Sequence, residues 1–239
     1  MRTLPRNDPR QYDELADQWW RPTGVFAALH WLAAARGALV PPATRPGAVL
    51  LDVGCGGGLL APHVAGKGYR HVGVDLIGSA LALAAGHGVR PLRADAVALP
   101  LASGSADVVV AGELLEHVPD LPAVVAELCR VLRPGGVLVV DTLNATVLSR
   151  LLVVTLAERL PGVPRGIHDP ALFVDPAELV ALCARHGVPL AVRGARPTVW
   201  GTARWLVARR GAARIVPTWT TAVLYQGRGV KVEGSTDGG

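Results

Sequence analysis

The sequence predicts an α/β protein built on a doubly wound, mostly parallel seven-stranded sheet, with an N-terminal helical lid and a helical insert after the fifth strand. Three observations carry this prediction. Val49-Leu50-Leu51-Asp52-Val53 is an apolar run without polar alternation, as a strand covered on both faces requires. It runs straight into Gly54-Cys55-Gly56-Gly57-Gly58, where glycine allows positive φ and close approach to bare backbone. From Val49 to Val140, strand-like and helix-like segments then alternate. At 239 residues, half of them hydrophobic, the chain can bury a sizeable core and is too apolar to be disordered along most of its length.

The elements follow in order. Residues before Asp8 read as disordered, Tyr12 to Trp20 as a helix with Trp19-Trp20 packing as a lid, and Val25 to Leu39 as a second helix. After the first strand come His71–Asp75, a third strand closing at Arg93–Ala96, a fourth at Asp107–Ala111 and a fifth at Val137–Val140. Thr146 to Leu160 is a strongly apolar helix candidate. It reads equally as a cap over an acceptor site that lies on a membrane, and as an ordinary core-packed helix. A helix over 176–186 and strands within Leu190–Arg193 and Thr221–Gln226 complete the pattern. The expected organisation is a lid over 1–45, a ligand-binding domain over 46–230 with its insert at about 146–175, and a loose tail over 231–239.

Composition narrows the function classes. Cys55, Cys129 and Cys183 are odd in number and widely spaced. They fit neither a disulfide framework nor a zinc site, and suit a reducing cytoplasm. Met1 to Arg6 lacks an apolar signal core, and charges or glycines interrupt every candidate membrane span. The net charge of +5 comes mostly from scattered arginines, with one cluster at Arg204, Arg209, Arg210 and Arg214. Six Trp, three Tyr and two Phe form no stacking platform interleaved with basic residues, so no nucleic-acid partner is expected. Attraction to anionic headgroups or acidic substrates and a merely solvated arginine-rich surface both account for the charge.

The glycine run points to a nucleotide-like ligand at the carboxyl end of the sheet. A dinucleotide loop needs a third glycine where Leu59 stands, and no Lys-Ser or Lys-Thr follows to make a P-loop. What remains resembles the D-x-G-x-G-x-G loop of class I, Rossmann-like S-adenosylmethionine (SAM) methyltransferases; alone, such a loop is equally a tight turn without a ligand. Later features support the SAM reading. Asp75 ends the second strand, where a carboxylate can accept from both ribose hydroxyls. Asp95 ends the third, where this fold usually meets the adenine amino group. Leu132-Arg133-Pro134-Gly135-Gly136 precedes the fifth strand, an order typical of methyltransferases rather than dehydrogenases.

The segment Gly112-Glu113-Leu114-Leu115-Glu116-His117-Val118 follows the fourth strand, beside the expected methyl group. On a helical turn, Glu113, Glu116 and His117 would share one face at i, i+3 and i+4. Two carboxylates and an imidazole can hold Mg²⁺ or Mn²⁺. They can equally shape a metal-free pocket. His117 or His168 is the candidate general base, with Glu116 a further catalytic candidate.

From Tyr12 to Gln226 the chain resembles the ubiquinone-biosynthesis O-methyltransferases, which methylate hydroxyls on polyprenylated catechol-type rings. The marks are Ala16-Asp17-Gln18-Trp19-Trp20, then Gly24, Phe26, Leu29-His30 and Arg36; LDVGCGGG at 51–58 with Asp75; Glu113 to Asp120; and Arg165-Gly166-Ile167-His168-Asp169 followed by Pro176-Ala177-Glu178-Leu179. The resemblance implies SAM contacts at Arg36, Gly54 and Asp75, within a cofactor set that also takes in Asp52, Cys55, Gly56, Leu76, Asp95, Ala96, Gly112 and Glu113. It implies magnesium dependence through Glu113, Glu116 and His117, a phenolic acceptor, and an insert that associates peripherally with the cytoplasmic face of an anionic membrane. The chain departs from the family pattern at Arg21 after Trp-Trp, at Val25, and at Trp31-Leu32-Ala33-Ala34-Ala35 before Arg36. A methyltransferase of specialised metabolism, metal-free, stays open as an alternative, as does a SAM-binding protein without catalysis.

Overall fold

A computed structural model describes residues 4–159, 163–208 and 211–233. Leu160, Arg209, Arg210 and the tail from residue 234 lie outside the described residues.

The chain opens with α1 (Arg10–Glu14), a 3₁₀ turn over Ala16–Gln18 and α2 (Ala27–Leu39). β1 (Val49–Val53), α3 (Ala61–Val64), β2 (Arg70–Asp75), α4 (Gly78–Gly86), β3 (Arg90–Arg93), β4 (Ala106–Gly112), α5 (Leu121–Val131) and β5 (Leu132–Leu143) form the doubly wound core. A helical stretch follows: α6 (Val147–Ser149), a π-helix over Arg150–Leu156 and a 3₁₀ turn over Ala157–Arg159. Then come α7 (Pro176–Arg185), β6 (Leu190–Pro197), α8 (Val199–Ala208), β7 (Ile215–Thr218) and β8 (Leu224–Val230).

Among the described residues the sheet has eight strands, not the expected seven, in the order β3-β2-β1-β4-β5-β8-β6-β7. β1 to β5 are parallel, whereas β8, β6 and β7 add antiparallel strands beyond β5. The extra strand, Ile215–Thr218, pairs with Gly194–Pro197 at the edge. Its Pro217 removes an N–H and masks the run as a strand, yet an edge tolerates that loss. The sequence also did not reveal α8, and β6 continues four residues beyond Arg193.

Two-sided burial explains the apolar strands. Leu51, Val53, Val109, Ala111, Leu138 and Val140 face one core with Val124, Val125 and Leu128 of α5 and Leu179 and Leu182 of α7. Leu50, Val108, Val110, Val137 and Val139 face the other, with Val40, Leu60 and Val64. Strand neighbours thus alternate between two apolar layers, and no polar face is left. The chain order reverses beside β1, where β2 lies on one side and β4 on the other, so a crevice opens at their carboxyl ends.

Near both ends, described residues within segments that read as loose are held in place. Residues 4–7 are not loose: the Asn7 N–H donates to Gly166 O at 2.8 Å, and Arg6 pairs with Glu158. Lys231 is buried, and its Nζ donates to Cys129 O at 2.8 Å. Among the described residues, no helix is long and apolar enough to cross a membrane.

Candidate active site

The crevice at the switch point is a cavity of about 470 Å³. Arg36, Asp52, Gly54, Cys55, Gly56, Asp75, Leu76, Asp95, Ala96, Gly112 and Glu113 all line it, so the structure brings the whole expected cofactor set together. His117 and His168 line it as well; Glu116 does not, being fully buried behind the wall.

The glycine loop is shaped by what packs on it. Gly54 and Gly56 adopt φ of 72° and 50°. A Cβ on Gly56 would come within 2.3 Å of Trp19 Cη2, so the N-terminal lid sits on bare backbone. Trp20 Nε1 donates to Gly57 O at 2.9 Å, fastening the same lid. Gly58, at φ 81°, lies against Ala84 of α4, which explains why glycine continues past the ligand-facing part of the loop.

The acid at the end of β2 is tied to this loop. Asp75 accepts from Gly56 N at 2.8 Å and Ile77 N at 2.9 Å. Burial raises its carboxyl, and these backbone donors partly offset that. Asp52 Oδ2 lies 3.3 Å from His71 Nε2, and Asp95 accepts from Val97 N at 3.2 Å. Burial pushes the Cys55 thiol up, keeping it a neutral wall residue rather than a nucleophile.

Arg36 reaches from α2 to β5. Its Nε and Nη2 each donate to Asp141 at 2.8 Å, a bidentate buried pair. Asp141 also accepts from Glu113 N at 3.0 Å. Asp141 was missed in the sequence, although an acid ending the apolar run Val137–Val140 is a usable signal.

The acidic turn differs from the expected helical face. Glu113 adopts φ 51°, and the 3₁₀ turn begins only at Leu115. The i, i+3, i+4 arrangement is therefore absent, because the chain must reverse sharply where β4 ends. Instead, ligand atoms of Glu116, His117 and His168 all lie within 4.8 Å of one another. Glu116 Oε2 accepts from Thr142 Oγ1 at 2.6 Å, while Oε1 of both Glu113 and Glu116 is buried without a hydrogen-bond partner. Burial first, and mutual repulsion in the case of Glu113, raise both carboxyls, that of Glu116 to about 7.

The two histidines stack with ring centroids 5.2 Å apart. Burial pushes His117 down to about 3 and His168 down to about 4, so both are neutral. His117 meets Asn7 through Nδ1 and Tyr12 Oη through Nε2. His168 is brought there by the insert, which Arg6 secures by donating to Glu158 and to His168 O. Asn7, Arg6 and Glu158 carried no signal in the sequence; Arg6 and Asn7 fall in a segment that reads as loose.

Known proteins resemble this chain in sequence and in fold. Residues 51–140 match the family described as methyltransferase domain. A ubiquinone biosynthesis O-methyltransferase of Thiobacillus denitrificans is 40% identical over 187 residues, 74% of this chain and 81% of that protein. One from Cupriavidus pinatubonensis is 38% identical over 200 residues, covering 79% and 80%. Among solved structures, a SAM-dependent methyltransferase of Thermotoga maritima superposes with a TM-score of 0.68 at 18% identity, covering 93% of this chain and 98% of that one. A phosphoethanolamine N-methyltransferase of Haemonchus contortus, bound to S-adenosylhomocysteine, gives 0.61 at 16% identity, covering 93% and 60%. At those identities the likeness is one of fold. The family follows from the sequence relatives: this chain is a SAM-dependent methyltransferase and belongs to the ubiquinone biosynthesis O-methyltransferase family.

Proposed function

We propose that the protein methylates a hydroxyl of a phenolic or catechol-type ring, with a polyprenylated quinone precursor as the acceptor class. One observation carries this reading. The cavity that holds the glycine loop, His117 and His168 is also lined by Ala157 and by Leu32, Leu143, Val153, Ile215 and Leu224, which pack in one apolar cluster. That apolar lining suits a greasy ring and the start of its tail.

In this reading the lid over 1–45 closes on a catalytic domain over 46–230. Asp75 accepts from the SAM ribose, Leu76, Asp95 and Ala96 flank the adenine, and Asp52, Gly54, Cys55, Gly56, Gly112 and Glu113 hold the methionine part beside Arg36. The acceptor hydroxyl gives its proton to His117 Nε2, with His168 stacked behind. The phenolate oxygen then attacks the methyl carbon in line, and the C–S bonding pair returns to sulfur, leaving neutral S-adenosylhomocysteine. Sulfonium and phenolate charges cancel along this path, which a dry apolar site favours.

A divalent cation fits the donor set. Ligand atoms of Glu116 and His168 converge beside His117, and the orphaned Oε1 atoms of Glu113 and Glu116 are unmet acceptors that a cation would satisfy, so the two carboxylates and His168 would hold it and leave His117 Nε2 to take the proton. When bound, Mg²⁺ would supply positive charge that lowers the pKa of an adjacent phenol. The second reading, metal-free methylation of a smaller phenol, is favoured by one feature: both His117 nitrogens already have protein partners.

A cytoplasmic location, peripheral on an anionic membrane, belongs to the same proposal. It is supported by three buried cysteines outside any disulfide and by exposed Val147, Leu148, Leu151 and Leu156 beside Arg150 and Arg159.

The test is an assay of SAM turnover on a polyprenyl catechol and a short-chain phenol, each with Mg²⁺ or with EDTA. The proposal expects a higher kcat/KM on the polyprenyl catechol and loss of activity with EDTA. Equal or better turnover of the short phenol in EDTA would replace it with the metal-free reading.

A further inference from the structure

We propose that Asn7, outside the methyltransferase core, is a positioning residue that fixes the tautomer of His117 and leaves its Nε2 lone pair aimed into the cavity. The inference rests on the reading that the acceptor hydroxyl meets His117.

The two bonds of Asn7 are mutually constraining. Its Nδ2 donates to His117 O at 2.9 Å, and its Oδ1 lies 2.6 Å from His117 Nδ1. A backbone carbonyl can only accept, so the amide end facing it is the NH₂ group. The other end is then a carbonyl oxygen, which can only accept as well. His117 Nδ1 therefore carries the ring hydrogen, and Nε2 keeps its lone pair. Turning the amide over would set oxygen against oxygen at one contact.

The Nε2 lone pair is met by a hydroxyl, which an acceptor would have to displace. Tyr12 Oη lies 3.2 Å from Nε2 and donates to it. That atom occupies the kind of place a substrate hydroxyl takes when it surrenders a proton. His168 stacks on the His117 ring, so the ring cannot swing away from Asn7 without disturbing the insert.

Asn7 is itself held in place. It adopts φ 59°, a left-handed conformation that asparagine tolerates better than most residues. Its N–H donates to Gly166 O at 2.8 Å, and Arg6 next to it bonds both carboxylate oxygens of Glu158 and the carbonyl of His168. The N-terminal strap, the insert and the turn after β4 thus meet at one imidazole. The Nδ1–H tautomer is set up only when all three are assembled.

The test uses the full chain labelled with ¹⁵N-histidine. Long-range ¹H–¹⁵N spectra distinguish the Nδ1–H from the Nε2–H tautomer, and His117→Gln assigns the signal by its loss. The expected wild-type result is the Nδ1–H form alone. Asn7→Leu, which removes both bonds at similar size, should release the ring to a tautomer mixture and lower kcat by about 10–100-fold, as loss of an orienting partner typically does, with the KM for SAM unchanged. Asn7→Asp keeps an acceptor for Nδ1–H but sets an oxygen against His117 O, so it should hold the single tautomer while recovering only part of kcat. A wild-type Nε2–H signal, or an Asn7→Leu protein with unchanged tautomer and kcat, overturns the proposal. The spectra need no acceptor, so a failed methylation assay does not alter what they show about the tautomer.

Discussion

Gly112 shows how a single side chain decides the cofactor end of the cavity. A Cβ at this position would lie 1.8 Å from Arg36 Cζ, and Arg36 is buried in its bidentate pair with Asp141. Gly112→Ala therefore drives the guanidinium off its partner and strands a charge in the interior. Breaking such a buried pair costs about 3–5 kcal/mol. The expected outcome is a lower urea midpoint together with weaker SAM binding by calorimetry; a variant as stable as wild type with full affinity would remove Arg36 from the site. The same geometry separates what sequence can show at this scale from what it cannot. Gly112 ends β4, and Asp141 closes the apolar run Val137–Val140 within β5, so the strand pattern offers a signal for both. That they meet through Arg36 of α2, 105 positions away from Asp141, is a fact of packing.

At the scale of elements, the helical stretch Val147–Arg159 and α8 present opposite lessons. The first is strongly apolar and was legible as an insert, yet most of its apolar side chains face outward: Val147 is 82% exposed and Leu151 46%. The second was not legible, because its Trp-Gly-Thr-Ala start carries no helical stripe. It anchors through Trp205 against Trp31 and leaves Trp200 88% exposed, and Trp219, in the loop after β7, is 100% exposed. Exposed tryptophans beside arginines suit the interface of an anionic bilayer. Vesicles containing phosphatidylglycerol should therefore pull the protein down in sedimentation, less so in high salt, and a Val147→Asp, Leu151→Asp, Trp200→Asp protein should stay in the supernatant. Equal sedimentation of wild type and variant would place the membrane contact elsewhere or nowhere. The lid illustrates a third case. Trp19-Trp20 was readable as a lid, but its seat on Gly56 and Gly57 required the fold.

Across the whole molecule, the buried histidines tie stability to pH. His117 and His168 titrate at about 3 and about 4, below the 6.5 of a free imidazole. Between about 4 and 6.5 the unfolded chain binds more protons than the native one, so these groups add stability as pH rises through that window. Glu116, raised by burial to about 7, acts in the opposite sense between 4.5 and about 7, and Glu113, also raised by burial, acts in the same direction as Glu116. His168→Gln should therefore lose less of its urea midpoint than wild type when the buffer is taken from pH 6.5 to pH 5; identical slopes would show that His168 is not held neutral by the fold. The sequence by itself determined the parallel core, the donor loop and the class of reaction. Those depend on local patterns: apolar runs of strand length, glycines where φ must be positive, and acids at strand ends. The eighth strand, the positive φ of Glu113, the joining of Glu116 with His117 and His168, and the strap from Arg6 and Asn7 were decided only by tertiary structure. Each depends on contacts between residues far apart in the chain, whose energies come from burial and from the orientation of hydrogen-bonding groups. No local pattern encodes which distant partner will arrive.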